Sequence, residues 1–152
     1  GIMQSMTEGP LTGSNCQNIR VCIYDGKMHA VDSNDISLQL AASHAFKEAF
    51  NEARPQLLEP YYQLEELCED AYTGDVMGDL QTRRAIIQGM DTDGHYQKII
   101  SEVPLAELKD YGSTLRSLTQ GKAKFKLEFS NYQLVPTHVQ ESLVISNAVL
   151  SE

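Results

Sequence analysis

The order of strand-like and helix-like segments between residues 61 and 135 restricts the fold more than any other feature of the sequence. A strand pattern is followed by a helix, two strands joined by a short turn, a second helix and a last strand. That order is typical of a split β-α-β unit, in which four antiparallel strands are backed by two helices. We therefore predict an α+β fold. The predicted elements are a strand at 61–67, a helix at 69–84, a hairpin of 86–91 and 95–103, a helix starting at Pro104 and stopped by Gly121, and a last strand from Ala123.

Apolar side chains in both helices recur at helical spacing, which predicts one buried stripe on each helix. The first stripe consists of Tyr72, Val76 and Leu80. The second consists of Leu105, Leu108, Tyr111, Leu115 and Leu118. The last strand alternates between apolar and polar residues, which predicts one covered and one solvent-facing side. Its inward residues are Ala123, Phe125, Leu127 and Phe129.

Residues 1–60 have a different pattern and form a separate predicted region. Ile19, Val21 and Ile23 alternate with polar residues before the Asp25-Gly26 turn signal, which predicts a strand. A helix is predicted from residues 32–34 to about Ala53, with the apolar stripe Leu38, Ala41, Ala45, Phe46, Ala49 and Phe50. Two prolines mark a crossover, and we place the boundary after the second, at residue 60. Residues 136–152 are a C-terminal tail or short helix.

The charge of the chain limits its possible partners. Its net charge is −9, and neither the part before residue 61 nor the part after it is basic. A free-standing nucleic-acid binder usually has the opposite sign, so any RNA contact must be local. Three cysteines without a C-x-x-C pair favour reduced thiols in a cytoplasmic protein. No apolar run approaches the length of a membrane span, and no signal-peptide pattern starts the chain.

Motifs for catalysis are missing from the sequence. No G-x-x-x-x-G-K-[ST] loop for nucleotide phosphates, no G-x-S-x-G segment and no metal-ligand spacing of Cys and His is found. The acidic pairs Glu65-Glu66 and Glu69-Asp70 are interpreted as solvated charges. The strand order also suits an RNA-recognition motif, but residues 95–101 lack the aromatic residues on which such domains stack bases. We expect no metal and no catalytic residue in this chain.

Several ordered segments resemble elongation factor G, a family of translational GTPases. The helix Gly74-Asp75-Val76-Met77-Gly78-Asp79-Leu80-Gln81-Thr82-Arg83-Arg84 closely resembles a helix of domain V in that family, and Gln88-Gly89-Met90-Asp91 follows in the same order. Val103–Glu107 and Leu115–Gly121 match two further blocks. Upstream, residues 9–11, 24–26, 29, 31–33, 45–49 and 58–60 are similar to the last half of domain IV.

The resemblance implies a fold and a partner. Residues 61–135 would form a ferredoxin-like domain V, and residues 1–60 the end of a domain IV with the fold of ribosomal protein S5. The partner would be the ribosome, through rRNA and the tRNA–mRNA complex at the decoding centre, with no membrane contact. GTP and magnesium would be bound in a G domain of the parent protein, so we expect this chain alone to bind no GTP. Because domain IV in this family begins upstream of Gly1, we expect residues 1–55 to self-associate, to pack on domain V or to be poorly ordered.

The resemblance also singles out residues. His29 would lie at the tip of domain IV that enters the decoding centre. The candidate ribosome contacts in domain V are Gly74, Gly78, Arg83, Arg84, Arg116, Thr119, Gln120 and Gly121. The two glycines either allow close backbone approach, for instance to rRNA, or are tolerated at a cost of about 1 kcal/mol each. The arginines suit helix ends or phosphates, and with polar-face positions their replacement by alanine should change stability by less than about 0.5 kcal/mol.

The sequence departs from the family pattern at a few positions, which allows a paralogue that translocates or recycles ribosomes. Asp110 replaces a glycine before the tyrosine of the second helix, Thr114 replaces an acidic residue, and Gly121-Lys122-Ala123 replaces G-R-G. Two other functions remain open. One is a ribosomal-protection protein against tetracycline, and the other is a stand-alone ferredoxin-like regulatory module.

Overall fold

The computed structural model describes the backbone of residues 1–150 and the side chains of residues 1–148. In this part of the chain the helices are α1 (Ile2–Thr7), α2 (Asp35–Glu52), α3 (Thr73–Thr82), α4 (Tyr111–Leu118) and α5 (Thr137–Leu150). The strands are β1 (Leu58–Glu69), β2 (Ile86–Asp93), β3 (Tyr96–Pro104) and β4 (Lys124–Leu134). The chain divides into two compact units, one of residues 58–135 and the other of residues 1–57 together with the segment from Pro136 onward.

The unit of residues 58–135 is a four-stranded sheet with α3 and α4. The strand order is β2-β3-β1-β4, and each neighbouring pair is antiparallel. This order confirms the α+β, ferredoxin-like arrangement predicted from the sequence. The hairpin is also confirmed: Asp93 pairs with Tyr96, and Gly94 takes the left-handed φ of 64° that the turn requires.

The core of this unit lies between one side of the sheet and the two helices. The strands contribute every second residue, as the alternation of side chains in a strand requires. The buried cluster consists of Leu64, Cys68, Val76, Leu80, Ile99, Val103, Tyr111 and Leu115. The stripe predicted for the first helix therefore reaches the core at Val76 and Leu80, while Tyr72 is half-buried.

Helix α3 is shorter than the predicted helix of residues 69–84. Asp70–Tyr72 form a 3₁₀ turn, and α3 begins at Thr73. At its end, the N–H of Ala85 donates to the carbonyl of Leu80 at 3.1 Å, and Arg84 has a φ of 57°. This is the capping motif in which a left-handed residue, usually glycine, closes the helix. An arginine at that position accepts backbone strain that a glycine would avoid.

The second predicted helix is wrong as a single element. Pro104 is the last residue of β3, Leu105–Leu108 form a 3₁₀ turn, and α4 begins only at Tyr111. Asp110 has a φ of 58°, which is outside the helical region and breaks the periodic run. Leu105 is consequently exposed. The α4 helix ends at Leu118, before the predicted stop at Gly121, because Gln120 already takes the left-handed conformation.

Strand β4 is less covered than its alternation predicts. Phe125 and Leu127 lie opposite Glu66 and Leu64 of β1, so they are on the side of the sheet that bears the helices. Tyr111 of α4 contacts Phe125 edge to face, with ring centroids 5.4 Å apart. Because β4 is an edge strand and α4 is only eight residues long, coverage stops there. The prediction of three buried residues in this strand is wrong, because Phe125, Leu127 and Phe129 are 41%, 37% and 52% exposed.

The other unit is built around α2. Asn34 and Ser37 cap this helix reciprocally, each side chain accepting the backbone N–H of the other residue at 2.9 Å. Phe46 is buried and packs against Phe50 at 5.6 Å between ring centroids. Leu38 is 43% exposed, so only part of the predicted stripe is covered. The side-chain amide of Gln140 in α5 accepts from the N–H of Leu57 at 2.8 Å.

The strand predicted around Ile19–Ile23 is not formed. These residues have no regular secondary structure, and Ile23 and Tyr24 are strongly exposed. A strand is stable only when its backbone groups pair with another strand, and in the described part of the chain no residue pairs with this segment. The alternating pattern is present, but the hydrogen-bonding partner is not among the described residues.

Candidate functional site

Arg83 is a half-buried arginine at the end of α3, and only 14% of its side chain is exposed. Its Nε donates to Asp79 Oδ2 at 2.7 Å, and its Nη1 donates to the carbonyl oxygens of Glu107 and Lys109 at 2.6 and 3.3 Å. Its Nη2 donates to Thr114 Oγ1 at 3.2 Å. The guanidinium also lies over the ring of Tyr111, 5.0 Å from its centroid. This cation–π contact between Arg83 and Tyr111 adds to the hydrogen bonds that hold the guanidinium.

Arg84, the next residue, is also held by several hydrogen bonds. Its Nη1 and Nη2 donate to the two carboxylate oxygens of Glu59 at 2.8 and 3.0 Å, and its Nε donates to Glu107 Oε1 at 2.9 Å. The hydrogen bonds with Glu59 and Glu107 outweigh burial and raise the pKa of the Arg84 guanidinium. It therefore stays charged at any pH at which the protein is folded.

These contacts correct the prediction for the two arginines. Arg83 and Arg84 do not lie on an exposed polar face, and alanine at either position would leave carboxylates or carbonyls without their donors. The reason is the 3₁₀ turn of Leu105–Leu108 together with the break at Asp110, neither of which the sequence pattern reveals. They bring acceptors within reach of the end of α3.

The C-terminal end of α4 divides the remaining candidates into exposed and buried residues. Arg116 is exposed. Gln120 and Gly121 are also exposed, and both have left-handed φ values, of 54° and 78°. Thr119 is fully buried, and its Oγ1 donates to the carbonyl of Leu115 at 2.7 Å. The Thr119 side chain is therefore bonded to the backbone of α4 and does not face solvent, so the prediction of Thr119 as a surface contact is wrong.

A run of positive charge, not recognised from the sequence, surrounds this helix end. Residues 109–126, here named the basic segment, carry Lys109, Arg116, Lys122, Lys124 and Lys126 against the single acid Asp110, in a chain with a net charge of −9. All five cations are exposed. Lys122 pairs with Glu69 at 3.3 Å and Lys126 with Glu128 at 2.6 Å. Lys109, Arg116 and Lys124 make no ion pair with any described residue. Counting charge in short windows rather than in halves of the chain would have found it.

Gly74 and Gly78 face open space on α3. A Cβ built at either position meets no atom within 4 Å, and both residues are exposed. Tight packing on a neighbouring element of this unit therefore does not explain them. The two remaining explanations are simple tolerance and the approach of a surface outside the chain.

His29 lies in a tight, exposed turn that precedes α2. Its backbone N–H donates to Ser33 Oγ at 2.6 Å, and its carbonyl accepts from the Ser33 N–H at 3.2 Å. The imidazole is solvent-exposed, as a residue that contacts another molecule must be.

Glu66 contradicts the prediction of solvated acidic pairs. Glu66 lies on the side of β1 that faces α3 and α4, and it is only 1% exposed. Neither of its carboxylate oxygens has a hydrogen-bond partner among the described residues. Burial, and secondarily the charge of Asp79, raise the pKa of Glu66 to about 8, although Arg83 opposes this. The side chain is therefore mostly protonated at neutral pH. Glu65, its neighbour, lies on the opposite side of the sheet and pairs with Lys98 at 3.1 Å.

The described residues contain neither a cluster of metal-ligating side chains nor a membrane-spanning helix. Three or more His, Cys, Asp or Glu side chains do not come together there in a way that could hold a metal ion. None of the helices in that part of the chain combines the length and the apolar character needed to cross a bilayer.

Comparison with known proteins gives consistent matches along the chain. Residues 56–143 match the family model described as elongation factor G C-terminus, and residues 1–54 match that of elongation factor G, domain IV. The chain is 43% identical to elongation factor G of Thermotoga neapolitana and 44% identical to that of Aquifex pyrophilus, in each case over 95% of this chain. A solved structure from Thermus thermophilus has a TM-score of 0.82 at 41% identity over 97% of this chain.

These matches cover nearly all of this chain but only a small part of each relative. The chain spans 21% of the length of the two relatives and 22% of the solved structure. Both family models lie in the order expected for the last two domains. The chain belongs to the elongation factor G family and corresponds to the C-terminal portion of these translation elongation factors.

Proposed function

We propose that this chain is the ribosome-binding C-terminal part of a cytoplasmic factor that promotes GTP-dependent translocation of tRNA and mRNA. The observation that carries the proposal is the group of exposed cations Lys109, Arg116 and Lys124, which form no ion pair with the described residues of an otherwise acidic chain of this family. Ribosomal RNA is a dense array of phosphates, and exposed cations release its counterions on contact.

The chemistry of the site suits the RNA backbone rather than base sequence. Arg116 offers a planar guanidinium that can bind a phosphate with two hydrogen bonds. Gln120 and Gly121 present an amide side chain and exposed backbone next to it. Contacts of this type position a protein on RNA without reading its sequence. The glycine face of α3, formed by Gly74 and Gly78, would allow rRNA to approach the helix backbone.

His29 has a separate place in the proposal. An exposed imidazole in a turn closed by Ser33 can donate a hydrogen bond to an RNA backbone oxygen in either charge state. We assign it to the tRNA–mRNA complex at the decoding centre.

Nucleotide chemistry belongs to the proposal only through the whole factor. The sequence has no phosphate-binding loop with a lysine and a magnesium-binding Ser or Thr, so the residues of this chain do not fit GTP.

The proposal is tested by measuring association of the chain with purified ribosomes over a series of salt concentrations. We expect binding that weakens steeply with salt. Arg116→Gln should reduce the slope of log Kobs against log salt by about 0.7–0.9, the value for one phosphate contact. Lys47→Gln, which removes an exposed cation of α2, is the matched control and should leave the slope unchanged. Salt-independent binding, or equal effects of the two variants, would contradict the proposal.

A further inference from the structure

The segment that leads into α4 is held by side chains of another helix. Between the 3₁₀ turn and α4, the backbone passes through Lys109 and the left-handed Asp110. The N-cap residue Asp110 makes no side-chain capping hydrogen bond. An eight-residue helix is too short to be stable without external contacts. The position of α4 must therefore be set from outside the helix.

Arg83 supplies the donors that this segment lacks. Its guanidinium binds the carbonyl oxygens of Glu107 and Lys109 and the hydroxyl of Thr114. Asp79, one turn earlier in α3, fixes the guanidinium through Nε. Arg83 also covers the ring of Tyr111, the first residue of α4. One side chain thus joins the end of α3 to the backbone before α4 and to its first turn.

Arg84 holds the same segment from the other side. It joins the Glu107 carboxylate to Glu59 at the beginning of β1. Its backbone is left-handed, with a φ of 57°, and a glycine would close α3 at this position with less strain. An arginine there is explained by the three hydrogen bonds of its side chain rather than by the conformation of the backbone.

The basic segment overlaps the stretch that Arg83 and Arg84 hold. Lys109 is within the held segment, and Arg116 is at the far end of α4, so their positions depend on how α4 sits against α3. By contrast, the guanidinium groups of Arg83 and Arg84 are already occupied by acceptors of the protein itself. Because acceptors of the protein use at least three of the five N–H donors on each guanidinium, Arg83 and Arg84 offer a phosphate fewer donors than the exposed Arg116 does.

We propose that Arg83 and Arg84 are positioning residues, forming a clasp that fixes residues 107–114, and with them the basic segment, against α3, without contacting RNA themselves. The clasp is a statement about the free protein. Its consequence for ribosome binding rests on the proposed function.

The first test concerns the free protein and uses amide hydrogen exchange measured by NMR. In Arg83→Gln, we expect protection of the Ser113, Thr114 and Thr119 amides to fall at least tenfold, while the Leu64 and Ile99 amides in the sheet keep theirs. Arg83→Lys keeps the charge but lacks the fork of donors, so it should behave like Arg83→Gln. A uniform loss of protection, or no loss around α4, would overturn the clasp. If Arg83→Gln does not fold, Thr114→Val removes one acceptor of Arg83, and Glu107→Ala removes the carboxylate that accepts from Arg84 Nε; each should give smaller losses at the same amides.

The second test uses ribosome association over a salt series. We expect Arg83→Gln to weaken binding several-fold while leaving the salt slope unchanged, because the cations of the basic segment still reach their phosphates, but only after a segment that is no longer fixed has been ordered. Arg116→Gln should lower the slope. A lower slope in Arg83→Gln would show that Arg83 binds phosphate, and an unchanged affinity would show that it has no positioning role; either result overturns the inference. If the unmodified chain does not bind ribosomes, the proposed function fails, while hydrogen exchange still decides whether the clasp exists.

Discussion

Arg84 binds both carboxylate oxygens of Glu59, at 2.8 and 3.0 Å, from a left-handed backbone position that closes α3. The contact joins residues 25 positions apart in sequence, at the beginning of β1 and the end of α3. Both side chains are largely shielded, with 25% and 11% exposed. A bidentate ion pair between partly buried side chains is stronger than an exposed one, because water screens it less.

The first prediction is that Arg84 and Glu59 are energetically coupled. A double-mutant cycle of Arg84→Gln and Glu59→Gln, followed by chemical denaturation, should give a coupling energy of about 1–3 kcal/mol. Each single variant should lower the free energy of unfolding by about 2 kcal/mol, since it leaves a partly buried charge without its partner.

Lys126 and Glu128 provide the control for this cycle. They form an exposed ion pair of 2.6 Å with 64% and 60% of their side chains exposed. Their coupling should be much smaller than that of Arg84 and Glu59, because water screens an exposed pair. Equal coupling in the two cycles would mean that the shielding of Arg84 and Glu59 has no energetic effect.

The second prediction concerns the backbone of Asp110. The resemblance to the family places a glycine at this position, and the φ of 58° gives the physical reason. Because the aspartate makes no capping hydrogen bond, Asp110→Gly should raise the free energy of unfolding by about 0.5–1 kcal/mol in thermal or chemical denaturation. Ser117→Gly, at an exposed helical position of α4, should lower it by a similar amount. Destabilisation by both changes would show that Asp110 has a contact which the backbone geometry does not account for.

Most of the fold could be predicted because the strands and helices have strong periodic patterns. The hairpin of β2 and β3 was correct since the Thr92-Asp93-Gly94 turn signal lies between two β-rich segments. The break before α4 could not be predicted, because Leu105, Leu108 and Tyr111 continue the apolar spacing across it. The extended backbone of Lys109, with a ψ of 129°, and the left-handed Asp110 interrupt the helix, and the apolar spacing reveals neither conformation. Burial of Phe129 was overestimated for a related reason, since alternation gives the side of a strand but not the length of the helix that covers it.

The candidate site was predicted less well than the fold. Motif similarity picked out Arg83 and Arg116 alike, yet the first is enclosed by acceptors and the second is exposed. The sequence does not contain this difference, because the acceptors of Arg83 come from Glu107, Lys109 and Thr114, more than twenty residues away. Glu66 was missed for the same reason. Two adjacent glutamates look equally polar, but in a strand they point to opposite sides of the sheet.

The third prediction is a pH dependence of stability caused by Glu66. In the folded protein the pKa is about 8, whereas the ordinary value is 4.5. Between these values the native state binds a proton that the unfolded chain has lost, so the contribution of Glu66 to stability falls as pH rises and levels off above pH 8. Stability should therefore decrease across this window relative to Glu66→Gln, with a slope no steeper than about 1.4 kcal/mol per pH unit.

The measurement is chemical denaturation of both proteins at pH 5 to 9, which cancels the titration of all other groups when the two curves are subtracted. Asp79 and Arg83 on α3 are the charged groups that act on Glu66, and both are present in the two proteins. Glu65→Gln is the control, because that side chain is partly exposed and pairs with Lys98. Its difference from the unmodified protein should not fall across pH 5 to 8. A pH-independent difference for Glu66→Gln would mean that Glu66 is ionised in the folded state.

The last prediction separates the two explanations of Gly74 and Gly78. A methyl group at either site meets no atom within 4 Å, and both lie in α3 without a positive φ. Alanine should therefore raise the free energy of unfolding by about 0.5–1 kcal/mol per substitution, through higher helix propensity and a less flexible unfolded chain. If rRNA approaches this face of the helix, the same methyl groups obstruct it, and we expect ribosome affinity to fall several-fold as stability rises.

Gln81→Ala controls for changes at an exposed α3 position, because it shortens a side chain and cannot obstruct a partner. Its effect on ribosome affinity should be small, since it neither adds bulk nor removes charge. A gain in stability with unchanged affinity for both glycine variants would show that the glycines are merely tolerated and that this face makes no close contact. A loss of stability would show that the space around them is filled in solution. Higher stability together with lower ribosome affinity is expected only when a surface outside the chain approaches the helix backbone at Gly74 and Gly78. The glycines then lower the stability of the helix but allow that contact.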